Sequence, residues 1–163
     1  MKDFQGILLA VPSLQIIYAS TSGHTEYVVD ALIGFLKEKA PKAAVTKMSA
    51  EKTTPEDLLS GDILLLASST WNTGNVEGQL NPYMHALLKD RAKTVDLKGK
   101  KVVCIGLGDQ RYFYTCKAAK HLEEFVFTHK GTLAVPTLKI LNEPYGQEDT
   151  VKQWGKSLLK LLK

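Results

Sequence analysis

The sequence predicts an α/β fold of three layers: a doubly wound, five-stranded parallel sheet with helices on both faces. Three observations carry that prediction. Short apolar runs rich in β-branched residues alternate with stretches of helical periodicity, giving five strand–helix units. The central runs are apolar at consecutive positions, as strands covered on both faces must be. The 163 residues, 44% of them hydrophobic, suffice for one sizeable core, and no stretch reads as a linker.

Residues 1–12 precede the first strand as an N-terminal extension of unassigned role, and residues 13–163 form the domain. The apolar run Ile7–Pro12 is short and has Asp3 upstream, which argues against a signal peptide. Leu14–Ala19 reads as the first strand. Thr25–Lys39 follows as a helix, with Val28, Val29, Leu32, Phe35 and Leu36 on one face and Pro41 as its stop. Ala43–Met48 alternates weakly, as an edge strand would. Thr54-Pro55-Glu56 has the form of an N-cap with proline at the first helical position.

Ile63–Ala67 is the third strand, Asn81–Lys89 a helix, and Val102–Leu107 the fourth strand. Cys116–His129 is helical. Leu133–Leu141 offers a fifth strand, in which Pro136 is tolerable on an edge or at a bulge. The last helix, Glu148–Lys163, repeats Val151, Trp154, Leu158 and Leu162, with acids at its start and lysines at its end.

Composition narrows the function. No run approaches the roughly 18–20 apolar residues that span a bilayer. Cys104 and Cys116 make neither a disulfide framework nor a metal-ligand spacing and read as reduced thiols in the cytoplasm. Residues 1–81 hold 6 Lys/Arg against 9 Asp/Glu, and residues 82–163 hold 15 against 8. The lysines of that basic half are scattered, without interleaved aromatic residues, so a nucleic-acid partner is not expected. The densest stretch, Lys89–Lys101, reads as a solvated connection.

Ligands of such sheets bind beyond the carboxyl ends of the strands, where strand order reverses. The loop after the first strand, Ser20-Thr21-Ser22-Gly23-His24-Thr25-Glu26, offers hydroxyls, a glycine and helix N-terminal amides to a phosphate dianion. It lacks a triphosphate loop's lysine, and the GxGxxG pattern is absent. A Ser/Thr-rich helix cap is the alternative. After the third strand, Ser68-Ser69-Thr70-Trp71-Asn72-Thr73-Gly74-Asn75 places a tryptophan that either stacks on a planar ring or covers the sheet end. After the fourth, Gly106-Leu107-Gly108-Asp109-Gln110-Arg111-Tyr112-Phe113-Tyr114 adds a glycine turn, a carboxylate and an aromatic cluster.

These three loops, in this order over about residues 14–163, resemble the flavodoxins of the short-chain type. The resemblance implies a flavodoxin-like fold of strand order 2-1-3-4-5, bound FMN and a monomeric low-potential carrier. It would move single electrons between a reductase and an acceptor through quinone, semiquinone and hydroquinone. Ser20, Thr21, Ser22, Gly23, His24 and Thr25 would then hold the phosphate, and Ser69 and Thr70 the ribityl chain or phosphate. Trp71 and Tyr112 would cover the two ring faces. Asn72 and Thr73, with Gly74 after them, would bracket the peptide facing N5. Gly106, Leu107, Gly108 and Asp109 would meet the pyrimidine edge, and Tyr114 the ring or its supporting loop. An enzyme on the same fold, an FMN quinone reductase or an activator of ribonucleotide reductase, is the alternative. Charge around the ring is expected to be near zero, with Glu77 and Asp109 against Arg111 and Lys117.

Overall fold

A computed structural model describes residues 12–162; the extension read at residues 1–12 lies, but for Pro12, outside the described residues. Five parallel positions build the sheet. They are β1 (Ser13–Ala19), β2 (Ala44–Ser49), β3 (Ile63–Thr73), β5 (Lys101–Gly108), and an edge shared by β6 (Thr132–Leu133) and β7 (Leu138–Leu141). Their order is β2-β1-β3-β5 and then the β6/β7 edge, which is 2-1-3-4-5 in the numbering of the five expected strands. The chain leaves β1 to one side and returns on the other, so the switch point lies between β1 and β3.

Side-chain alternation divides the core in two. Leu14 and Ile16 of β1, Leu65 and Ala67 of β3, and Val103 and Ile105 of β5 face α1 (His24–Lys39) and α4 (Glu148–Leu162). Ile17, Leu64, Leu66 and Cys104 face the opposite layer, α2 (Pro82–Ala86) and α3 (Lys117–Thr128). Burial raises the Cys104 thiol pKa, as befits a thiol that packs and does not react.

Four elements differ from the sequence reading. The third strand does not stop at Ala67: β3 continues to Thr73 and folds back antiparallel as β4 (Val76–Leu80). The connection is Gly74-Asn75, with φ of 64° and 61°, the paired left-handed conformation whose twist suits a two-residue hairpin. The fifth strand is not continuous over Leu133–Leu141. The chain leaves the ladder around Pro136, which has no N–H to donate and whose carbonyl accepts the Trp154 indole N–H at 2.8 Å. The segment opened by Thr54 and Pro55 is a 3₁₀ turn, Pro55–Leu59, closed by a reciprocal Thr54–Asp57 capping box. The helix expected over Asn81–Lys89 is one short α-helical stretch, Pro82–Ala86, that widens into a π turn at Leu87–Arg91.

Candidate functional site

The loops following β1 and β5 and the outer half of β3 lie together at the carboxyl end of the sheet. The first is built by its own short side chains. Gly23 caps α1 with φ of 92°, a conformation that strains any L side chain. Ser20 Oγ accepts from the amides of Gly23 and Glu26 at 3.1 and 3.3 Å. The first helical bond runs from Tyr27 N–H to Gly23 O at 2.9 Å, so the amides of His24 and Thr25 come before the helix begins to satisfy itself. Thr25 Oγ1 is buried and has no partner among the described residues. An unpartnered buried hydroxyl beside two helix N-terminal amides fits an anionic phosphate, and the helix dipole adds to it.

Asn81 secures this loop from behind, a role the sequence reading missed. It is fully buried. Its Nδ2 donates to Thr21 Oγ1 at 2.9 Å, its Oδ1 accepts from Tyr83 N–H at 3.0 Å, and its own amide donates to Ser68 Oγ at 3.1 Å. The sequence marked Asn81 only as the start of a helix.

Next to the loop is a cavity of about 530 Å³, within the size range of cofactor sites. Of the expected residues, Ser22, His24, Ser69, Thr70, Trp71, Asn72, Leu107, Gly108, Asp109, Tyr112 and Tyr114 line it. Trp71 is half-buried, and its indole N–H donates to Ser69 Oγ at 2.5 Å. Tyr112 is 66% exposed at the cavity mouth, with the Arg111 guanidinium over its ring, 6.0 Å from the centroid. The Thr70 hydroxyl is engaged structurally: it donates to Leu107 O at 2.9 Å and accepts from Ala118 N–H at 3.0 Å, tying β3 to β5 and α3.

Thr73, Gly74 and Gly106 do not reach the cavity. Thr73 Oγ1 donates to Leu80 O at 2.6 Å within the hairpin, and Gly74 makes its turn. Gly106 lies under α3, where a Cβ would come within 2.7 Å of Ala119 Cβ. Gly108 is held still closer, since a Cβ there would lie 1.6 Å from Thr115 O, the acceptor of the Asp109 amide at 2.9 Å.

Six further residues line the cavity: Glu77, Gly78, Arg111, Thr115, Asn142 and Glu143. Asn142, with φ of 67°, accepts from Gln110 N–H at 3.0 Å and donates its own amide to Gly108 O at 2.7 Å, fixing the loop after β5. Arg111 grips Asp109 with Nε at 3.0 and 2.9 Å from the two carboxylate oxygens and Nη2 at 2.5 Å. That clasp holds the Asp109 carboxyl below the ordinary carboxylate range. The near-zero charge expected around the ring is corrected here. Three acids, Glu77, Asp109 and Glu143, line the cavity against Arg111. Lys117 instead lies over the Tyr114 ring, 4.6 Å from its centroid. Glu143 comes from the segment after β7, far along the chain from the segments that follow β1, β3 and β5.

The family model for flavodoxin matches residues 16–154. The flavodoxin of Maridesulfovibrio salexigens is 31% identical over 88% of this chain and 94% of its own length. Protein MioC of Escherichia coli O157:H7 is 30% identical over 92% of this chain and 98% of its own. Among solved structures, oxidised Flavodoxin 2 from Bacillus cereus matches with a TM-score of 0.77 at 29% identity, covering 91% of this chain and 98% of that one.

Proposed function

The chain belongs to the flavodoxin family, flavin-binding proteins that carry electrons and are not enzymes, and from that premise we propose that its flavin is FMN. We propose further that it shuttles single electrons between a reductase and acceptor enzymes as a cytoplasmic monomer. Among the described residues no helix is long and apolar enough to cross a membrane.

The observation that carries the choice of FMN is the buried, unpartnered Thr25 hydroxyl within the loop Ser20–Thr25, directly beside the cavity. A terminal monophosphate completes that loop; a flavin without phosphate leaves it open. FMN, when bound, supplies a ring able to take up and release electrons one at a time. Ser22, His24 and Thr25 bind the phosphate, with Ser20 and Asn81 holding the loop in shape. Trp71 and Tyr112 exclude water from the ring faces, which disfavours charged forms of whatever lies between them. Asn72, Gly108 and Asp109 line the same cavity and would meet the edges of the ring.

The test titrates flavin-free protein with FMN and with riboflavin, followed by flavin fluorescence. Anaerobic stepwise reduction of the loaded protein then follows. FMN is expected to bind at least tenfold more tightly than riboflavin, the order expected for charge-assisted hydrogen bonds to one phosphate. The long-wavelength absorbance of half-reduced flavin is expected midway. Equal affinities would remove phosphate recognition, and passage straight to the two-electron form would remove the single-electron role.

A further inference from the structure

The hairpin pairs out of step. Trp71 faces Gln79 and Thr73 faces Val76, so Asn72 stands opposite two residues, Glu77 and Gly78. A bulge of this kind leaves a backbone group outside the ladder. Gly78 absorbs the bulge with φ of 71°. His121 of α3 meets its carbonyl, with Nε2 at 2.7 Å from Gly78 O. A carbonyl only accepts, so Nε2 carries the proton and donates. The other ring nitrogen, Nδ1, is buried without a hydrogen-bond partner among the described residues, and Glu124 Oε2 is 3.9 Å away.

Gly78 is equally constrained on its second side. A Cβ added there would lie 2.7 Å from both Cβ and Cγ of Tyr114. One imidazole thus fixes a bulge that has Trp71 and Asn72 across the hairpin and Tyr114 packed against it, and all of these residues line the cavity.

We infer that His121 is a positioning residue: by donating to Gly78 it sets the hairpin wall against Tyr114 and so the fit of the ring-binding cavity. The inference rests on the flavin-binding reading above. His121 touches neither the cavity nor anything in it and acts through one backbone carbonyl.

The test compares His121→Leu, which removes the donor, with His121→Gln, which returns an amide N–H to the same side. The first readout is hydrogen exchange of the backbone amides of residues 70–80 in flavin-free protein. The second is the FMN dissociation constant with the absorption spectrum of bound flavin. In His121→Leu the hairpin amides are expected to exchange about tenfold faster while those of β1 and β5 keep their rates. FMN should bind about tenfold more weakly, with a shifted spectrum, and His121→Gln should recover most of each effect. Unchanged hairpin exchange and affinity in His121→Leu would overturn the inference. So would exchange that rises uniformly across the sheet without rescue by glutamine, which would make His121 an ordinary stabiliser of α3. Failure of the unaltered protein to take up FMN would instead sink the flavin reading, while exchange would still report whether His121 holds Gly78.

Discussion

Thr25 illustrates how a single hydroxyl can work against the empty protein and for the loaded one. Its oxygen is buried with no partner among the described residues, a condition that costs about 1–3 kcal/mol. Thr25→Val keeps the shape and removes the oxygen. We expect flavin-free Thr25→Val to be as stable as the parent or more so in urea denaturation, yet to bind FMN about tenfold more weakly. Riboflavin affinity should not change. A loss of stability with unchanged FMN affinity would show the hydroxyl to be structural.

Charge acts residue by residue in two more places. Hydrogen bonds from Lys47 and Tyr18 hold Glu26 below the ordinary carboxylate range. Its contribution to stability is therefore present above the unfolded pKa and lost as pH falls through the lowered folded value. Glu26→Gln should flatten the acid limb of a denaturation curve followed by circular dichroism. At the cavity mouth, Arg111→Gln would release Asp109 and remove one positive charge. The second flavin reduction step should then move to a more negative potential, on the order of tens of millivolts for one partly screened charge. A shift in the positive direction under potentiometric titration would contradict this placement of Arg111.

Elements, more than residues, show what a sequence can and cannot disclose. The strands at Leu14, Ile63 and Val102 were legible because burial on both faces demands continuous apolar residues, and the structure leaves these positions nearly without exposure. The second half of β3 was not. Ser68 to Thr73 are polar but for Trp71: Ser68 and Ser69 stay on the ladder to β5, and Thr70 to Thr73 owe their strand conformation to pairing with β4 and to the left-handed pair Gly74-Asn75. The Ser/Thr-rich loop after β1 stands out by its local spacing, whereas Asn81, Asn142 and Glu143 reach the site through tertiary folding, leaving no local pattern. Asn81 also yields a prediction about how these elements are joined. Asn81→Leu leaves Thr21 Oγ1 without its donor and the Tyr83 amide without its acceptor. Stability should fall by about 1–3 kcal/mol in urea denaturation, and FMN binding should weaken with it. Normal FMN affinity would mean the loop keeps its shape unaided.

Across the whole molecule, the cavity and the lysine-rich connection at Lys89–Lys101 lie at opposite ends of the sheet. The cavity opens at the carboxyl ends of the strands, with Glu77 and Glu143 on its wall. The lysine-rich connection enters β5 at Lys101, which pairs with the first residue of β3. A basic chain thus presents an acidic opening. Reduction by a small cationic mediator should slow as salt is raised, and reduction by an anionic one should quicken, in stopped-flow measurements. The broken last strand has its own effect on the whole. An unbroken border of free amides and carbonyls is a template on which a second chain can add. Here the border is two short pieces, with Pro136 lacking a donor between them and its carbonyl occupied by Trp154. Aggregation along that side is thereby discouraged, since a second chain finds no continuous row of free donors there to build on.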